Sequence, residues 1–80
     1  MDSAEVFTKL KTLIADFFGT DPDMLTHESS VADVDGWDSI GHTMLILDIE
    51  RAFDIRLTDQ EATQVSNVGE LAELIAKSTN

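Results

Sequence analysis

The chain contains no cysteine in its 80 residues, which excludes disulfides and thiolate metal ligands and leaves the redox compartment unread. Bases are scarce: five Lys and Arg stand against sixteen Asp and Glu, a formal net charge of -11. Nucleic acid and anionic membrane surfaces would repel such a chain, so basic protein surfaces are the partners its charge favours. No stretch approaches the roughly 20 consecutive apolar residues of a membrane span. Alternation of period two is essentially absent, so no sheet is expected. The start, "MDSAEVFTKLKTLIADFF", has acids where a signal peptide needs positive charge, and its apolar residues are periodic rather than continuous. A cytoplasmic protein is expected.

What is present suffices for one small core. The apolar fraction of 42% is ordinary for a globular protein and argues against disorder. A chain this short buries about 60–65% of the surface that its unfolded form exposes. Met1 and the short polar ending "KSTN" fit a complete small protein, so a single domain over residues 1–80 is expected. There is no internal repeat and no low-complexity segment.

Four helices are predicted. Val6, Phe7, Leu10, Leu13, Ile14, Phe17 and Phe18 recur at helical spacing over residues 3–18, with Asp2 or Ser3 as cap and Gly19 as terminator. Residues 19–37 read as a long loop. It holds the only proline, Pro22, and the turn-formers Asp21, Asp23, Ser29, Ser30 and Gly36, and Leu25, Val31 and Val34 would tether it to the core. A second helix runs from about Ser39 to Phe53 behind Asp38 as cap. A short third covers about 59–65, with Thr58 and Glu61 at capping-box spacing. A fourth begins near Ser66 or Asn67 and carries Val68, Leu71, Ala72, Leu74 and Ile75 to about Lys77. The fold class is therefore all-α: a small four-helix bundle with a long loop between helices 1 and 2.

The second helix has two apolar sides. At about 100° per residue, Leu45, Ile46, Ile49 and Phe53 share one, with His42 at its upper end. Ile40, Met44 and Leu47 fall on the other, followed by Arg51 and flanked by Asp48 and Glu50. A row of this kind either lies under another segment of the chain or serves as a docking face. Methionine suits a docking face, because its flexible thioether adapts to different pockets. The charge pattern points the same way. From Thr12 to Glu50 there is no Lys or Arg, while nine acids fall there, so a basic partner would be steered towards Ser39.

Ser39 itself, in "DGWDSIGH", admits several readings. Aligning Gly36 to the glycine of a calcium-binding EF-hand loop sets Asp33 and Asp35 correctly but puts Val31 and His42 where principal ligands belong. No metal site is expected beyond loose cation binding by Asp33, Asp35 and Asp38. Gly36, Ser39 and Gly41 do not make the G-x-S-x-G nucleophile elbow, and no strand precedes them. Asp38, Ser39 and His42 lack an independent orienting acid and an evident oxyanion hole, so His42 reads as a partly buried packing residue and no catalytic residue is expected. Taken alone, Ser39 could simply begin a helix.

The context of that serine resembles the attachment motif of acyl carrier proteins and the related peptidyl carrier domains. The resemblance rests on Asp38-Ser39-Ile40 preceded by Gly36-Trp37, and on the run to Phe53. It extends to "LIADFFGTDPDMLTHESSVADVDGWDS" for the first helix and loop, and to "FDIRLTDQEATQVSNVGELAELI" for the third and fourth helices. It implies that the Ser39 hydroxyl receives 4′-phosphopantetheine from coenzyme A through a phosphopantetheinyl transferase, which supplies metal and base. It also implies that Asp38, Ile40, Met44, Leu47, Glu50 and Arg51 read partners. Those would be an acyl- or aminoacyl-loading enzyme and a downstream transferase or synthase, visited by a monomeric carrier whose apolar core partly shelters a lipid-like cargo. Gly41, Met44 and Arg51 depart from the fatty-acid-synthesis pattern. Gly-Trp-Asp-Ser is more typical of carriers in polyketide, peptide or other specialised pathways. The alternative is an unmodified acidic interaction module that uses the Ile40, Met44 and Leu47 face.

Overall fold

The computed structural model describes residues 2–79, the side chain of Val31 excepted. Four helices follow in order: α1 Ser3–Phe18, α2 Ser39–Phe53, α3 Asp59–Gln64 and α4 Val68–Ser78. No strand occurs among the described residues. Each helix starts on a side chain that meets an amide otherwise left unpaired. The Asp2 carboxylate accepts from the Glu5 N–H at 2.9 Å, Asp38 from Gly41 at 2.8 Å and Asn67 from Glu70 at 2.8 Å. Thr58 and Glu61 make a reciprocal capping box. Gly19 closes α1 in the left-handed region, and Asp54 closes α2 there as well, at φ 54°. Aspartate is among the few non-glycine residues that take up that conformation readily.

The core is a seam between α1, α2 and α4. Val6, Leu10 and Ile14 from α1, Leu45 and Ile49 from α2, and Val68, Leu71 and Ile75 from α4 are fully buried. Phe53, expected within the core stripe, is only half-buried and packs against its edge. The short α3 contributes Ala62. It ends at Gln64 rather than 65 because Val65 is already extended.

Residues 19–37 are more ordered than a plain loop. Two 3₁₀ turns, Pro22–Met24 and Val31–Asp33, lie within them. Leu25 and Val34 are buried as expected, whereas the tether expected at Val31 lies outside the described side chains. Ser29, read from sequence as a turn-former, is buried, and its Oγ accepts from the Thr26 N–H at 2.9 Å. The loop then docks on the start of α4. The Val68 N–H donates to the Ser29 carbonyl at 2.9 Å and the Gly69 N–H to the His27 carbonyl at 2.8 Å. Two amides without an intrahelical partner are thereby satisfied. A side chain at position 69 would crowd this join, since a Cβ there would lie 3.0 Å from both the His27 Cβ and its carbonyl oxygen. The His27 ring stacks on Phe7 at 3.7 Å, fixing the same stretch to α1.

Candidate functional site

The loop delivers the chain to α2 through a turn at Gly36, whose φ of 88° favours glycine. Trp37 follows and is buried. Its indole stacks on Phe18 of α1 at 5.7 Å and on His42 of α2 at 6.1 Å, so the junction is held by an aromatic ladder. Asp38 then caps the helix and Ser39 is its first residue, exposed to solvent. The Asp38 carboxylate takes the Gly41 amide. The amides of Ser39 and Ile40, two residues and one residue earlier, have no carbonyl within reach inside the helix. The start of α2 therefore presents a hydroxyl beside two free N–H donors at the positive end of a 15-residue helix dipole.

Ile40, Met44 and Leu47 are 73%, 55% and 54% exposed, respectively. Among the described residues no segment covers the row, and Arg51 continues it into solvent. Glu50 departs from the sequence reading. It is half-buried, and its Oε2 accepts from the Leu57 N–H at 2.9 Å, so it latches the α2–α3 connection. Met24, not singled out in the sequence, is the most exposed large apolar side chain among the described residues, at 74%. Gly41 is a point of close approach. A Cβ there would lie 2.5 Å from the Gly36 carbonyl oxygen.

His42 does more than pack. The Trp37 Nε1–H donates to its Nδ1 at 3.0 Å, and its Nε2 lies 2.8 Å from the Ala62 carbonyl. An indole nitrogen only donates and a carbonyl only accepts, so the ring is the neutral tautomer with its proton on Nε2. Both nitrogens are committed away from Ser39, which removes the base that a hydrolase would need. Of the three loop carboxylates considered for a cation, Asp33 accepts from the Ser30 N–H and hydroxyl, and Asp38 is the helix cap. Among the described residues no three metal-ligating side chains cluster.

Beside Ser39 runs a groove of about 520 Å³ between α2 and α3, edged by Asp38 and Trp37 and lined by His42, Thr43, Thr63 and Val65. A smaller hollow of about 290 Å³ continues it past Ile46, Leu47 and Leu57, with His42, Thr43 and Thr63 shared between the two. Sequence reasoning missed Thr63 and Val65, because only the packing of α3 brings them beside Ser39, and it missed Thr43, which lies one turn along α2 from Ser39. A further hollow of about 440 Å³, between α1 and Asp48, includes none of Ser39's neighbours.

A family model described as a phosphopantetheine attachment site matches residues 8–75. The acyl carrier protein of Clostridium acetobutylicum is 42% identical over 74 residues, covering 92% of this chain and 96% of that protein. The acyl carrier protein of a Picosynechococcus species is 36% identical over 76 residues, 94% and 93% of the two chains. The solution structure of a holo acyl carrier protein from Geobacter metallireducens matches with a TM-score of 0.82 at 34% identity, over 91% of this chain and 84% of that one. The acyl carrier protein from Enterococcus faecalis gives 0.78 at 25% identity, over 98% and 99%. The chain belongs to the acyl carrier protein family. Members of this family are carriers without catalytic activity of their own, and the matched domain bears 4′-phosphopantetheine. Their partners are the transferase that installs the group and the biosynthetic enzymes that use it.

Proposed function

We propose that the Ser39 hydroxyl carries the 4′-phosphopantetheine group and that the chain, a single domain over residues 1–80, works as a monomeric cytoplasmic shuttle for a specialised polyketide, peptide or lipid pathway. The observation that carries this reading is the exposed hydroxyl of Ser39 at the head of α2, one turn from the uncovered Ile40, Met44 and Leu47 row. A phosphodiester on that oxygen would lie beside the Ser39 and Ile40 amides, at the end of the helix that favours an anion. When bound, the group supplies a thiol on which an acyl or aminoacyl cargo is held as a thioester. The protein's own residues present and address it. Asp38 fixes the first turn, Ile40, Met44, Leu47 and Arg51 offer a partner an apolar strip with a charged end, and Glu50 holds the α2–α3 connection at its edge. Partner enzymes would be a loading enzyme and a downstream transferase or synthase, engaged briefly through a small apolar patch and steered by charge.

Intact mass spectrometry after incubation with coenzyme A and a promiscuous phosphopantetheinyl transferase tests the reading. The expected result is one phosphopantetheine increment on the native chain and none on Ser39→Ala. A folded native chain that gains no mass would instead favour an unmodified acidic module docking through the same row.

A further inference from the structure

We propose that His42 determines what this carrier can hold: it bolts the seam between α2 and α3 below Ser39, so that cargo lies in the outer groove and does not enter the core, in contrast to the sheltering core that the family resemblance implies. The inference rests on Ser39 as the point of attachment. His42 stands one turn beyond Ser39 on α2 and borders both the groove and its continuation, so the imidazole flanks the route that a chain from Ser39 would take along this seam. The ring is held at both ends, by the Trp37 indole at 3.0 Å and by the Ala62 carbonyl of α3 at 2.8 Å. Swinging it aside would leave an indole N–H and a backbone carbonyl unpaired in a part-buried setting, besides unstacking Trp37. Behind it the side chains of Leu45, Ile49 and Ala62 are already packed, with relative exposures of 0%, 0% and 6%. Dense interiors do not admit an alkyl chain without displacing something.

The groove outside this bolt has a chemistry of its own. Thr43 Oγ1 donates its proton to the Ser39 carbonyl and Thr63 Oγ1 donates to the Gln60 carbonyl. What each hydroxyl still offers is an acceptor lone pair. With Asp38 also at its edge, the groove presents acceptors beside apolar surface from Trp37 and Val65. That lining suits a short acyl group bearing a hydroxyl or amino donor better than a long saturated chain.

The test compares holo, 3-hydroxybutyryl-loaded and octanoyl-loaded protein, the loaded forms being made by the transferase from the corresponding acyl coenzyme A. Intact mass checks each form first. An absent increment on the native chain would refute attachment at Ser39, and this inference with it, before cargo placement arises. Methyl NMR spectra and thermal unfolding then report where the cargo lies. For the native chain, the octanoyl form is expected to leave the Leu45, Ile49 and Leu71 methyl signals and the Tm as in the holo form. Changes should be confined to Thr43, Thr63 and Val65. In His42→Ala, and in Trp37→Phe, which removes the indole donor together with part of the ring stacked on His42, the octanoyl group should move the core methyls and raise Tm above that of the same variant's holo form. Core methyls that move in the native chain would overturn the proposal. So would core methyls that stay still in both variants, since His42 would then not be the determinant.

Discussion

A methyl group added at Gly41 would press on the Gly36 carbonyl oxygen at 2.5 Å, with Phe18 at 3.2 Å and Asp38 Oδ1 at 3.3 Å. Two effects oppose each other in Gly41→Ala. Helix propensity favours alanine by about 1 kcal/mol, while overpacking against backbone costs about 1–3 kcal/mol. Overpacking should win, so the variant is expected to unfold at lower denaturant concentration than the native chain. Equal or greater stability would mean that the Gly36 turn gives way freely. Such constraints are poorly legible in a sequence. The crowding at Gly41 was not readable because the backbone that approaches it belongs to the loop. His42 looked like ordinary packing because one of its two partners, the Ala62 carbonyl, lies 20 residues away. The helix start at Ser39 was readable, since its cap, Asp38, is the residue before it.

The two sides of α2 provide a contrast at the scale of the element. Met44→Glu and Leu47→Ser change side chains that are more than half exposed, so unfolding should shift by no more than about 0.5 kcal/mol while turnover by a partner enzyme falls. Leu45→Ala or Ile49→Ala, on the buried side, should cost about 2–5 kcal/mol. A large stability loss in Met44→Glu would place that residue in the core and defeat the docking reading. The six-residue α3 depends on its cap. The Glu61 carboxyl is held below its ordinary value of 4.5, first by the Thr58 backbone N–H and then by the Thr58 hydroxyl. Its bonds therefore support α3 above that ordinary value and are lost as pH falls through the lower folded value. The Thr58 amide resonance should move over that acid range in the native chain and not in Glu61→Gln; a Thr58 amide that titrates alike in both would sink this. Helix caps were legible because they work over three residues. The limits of α3 and the 3₁₀ turns were not, because packing decides them.

Sixteen acids share a body with a radius of gyration of 11.2 Å, and their mutual repulsion acts on folding and on association in opposite senses. Added salt screens charges over distances of about 10 Å at 0.1 M. Raising ionic strength from a few millimolar should therefore increase Tm, by relieving self-repulsion, while slowing encounter with a basic partner. Parallel melting and stopped-flow binding series would check this, and a partner on-rate indifferent to salt would refute electrostatic steering. Among the described residues no helix is long and apolar enough to cross a membrane. The join between the loop and α4 has a different kind of consequence. It is written in peptide groups, with the carbonyls of His27 and Ser29 meeting the amides of Val68 and Gly69, so its register does not depend on the identity of most loop side chains. In a saturation library, substitutions at Glu28 should be almost silent for folding, while nearly every replacement of Gly69 should be purged. The loop is thus free to diversify its outward chemistry beside a fixed join, and the constraint falls on a single glycine.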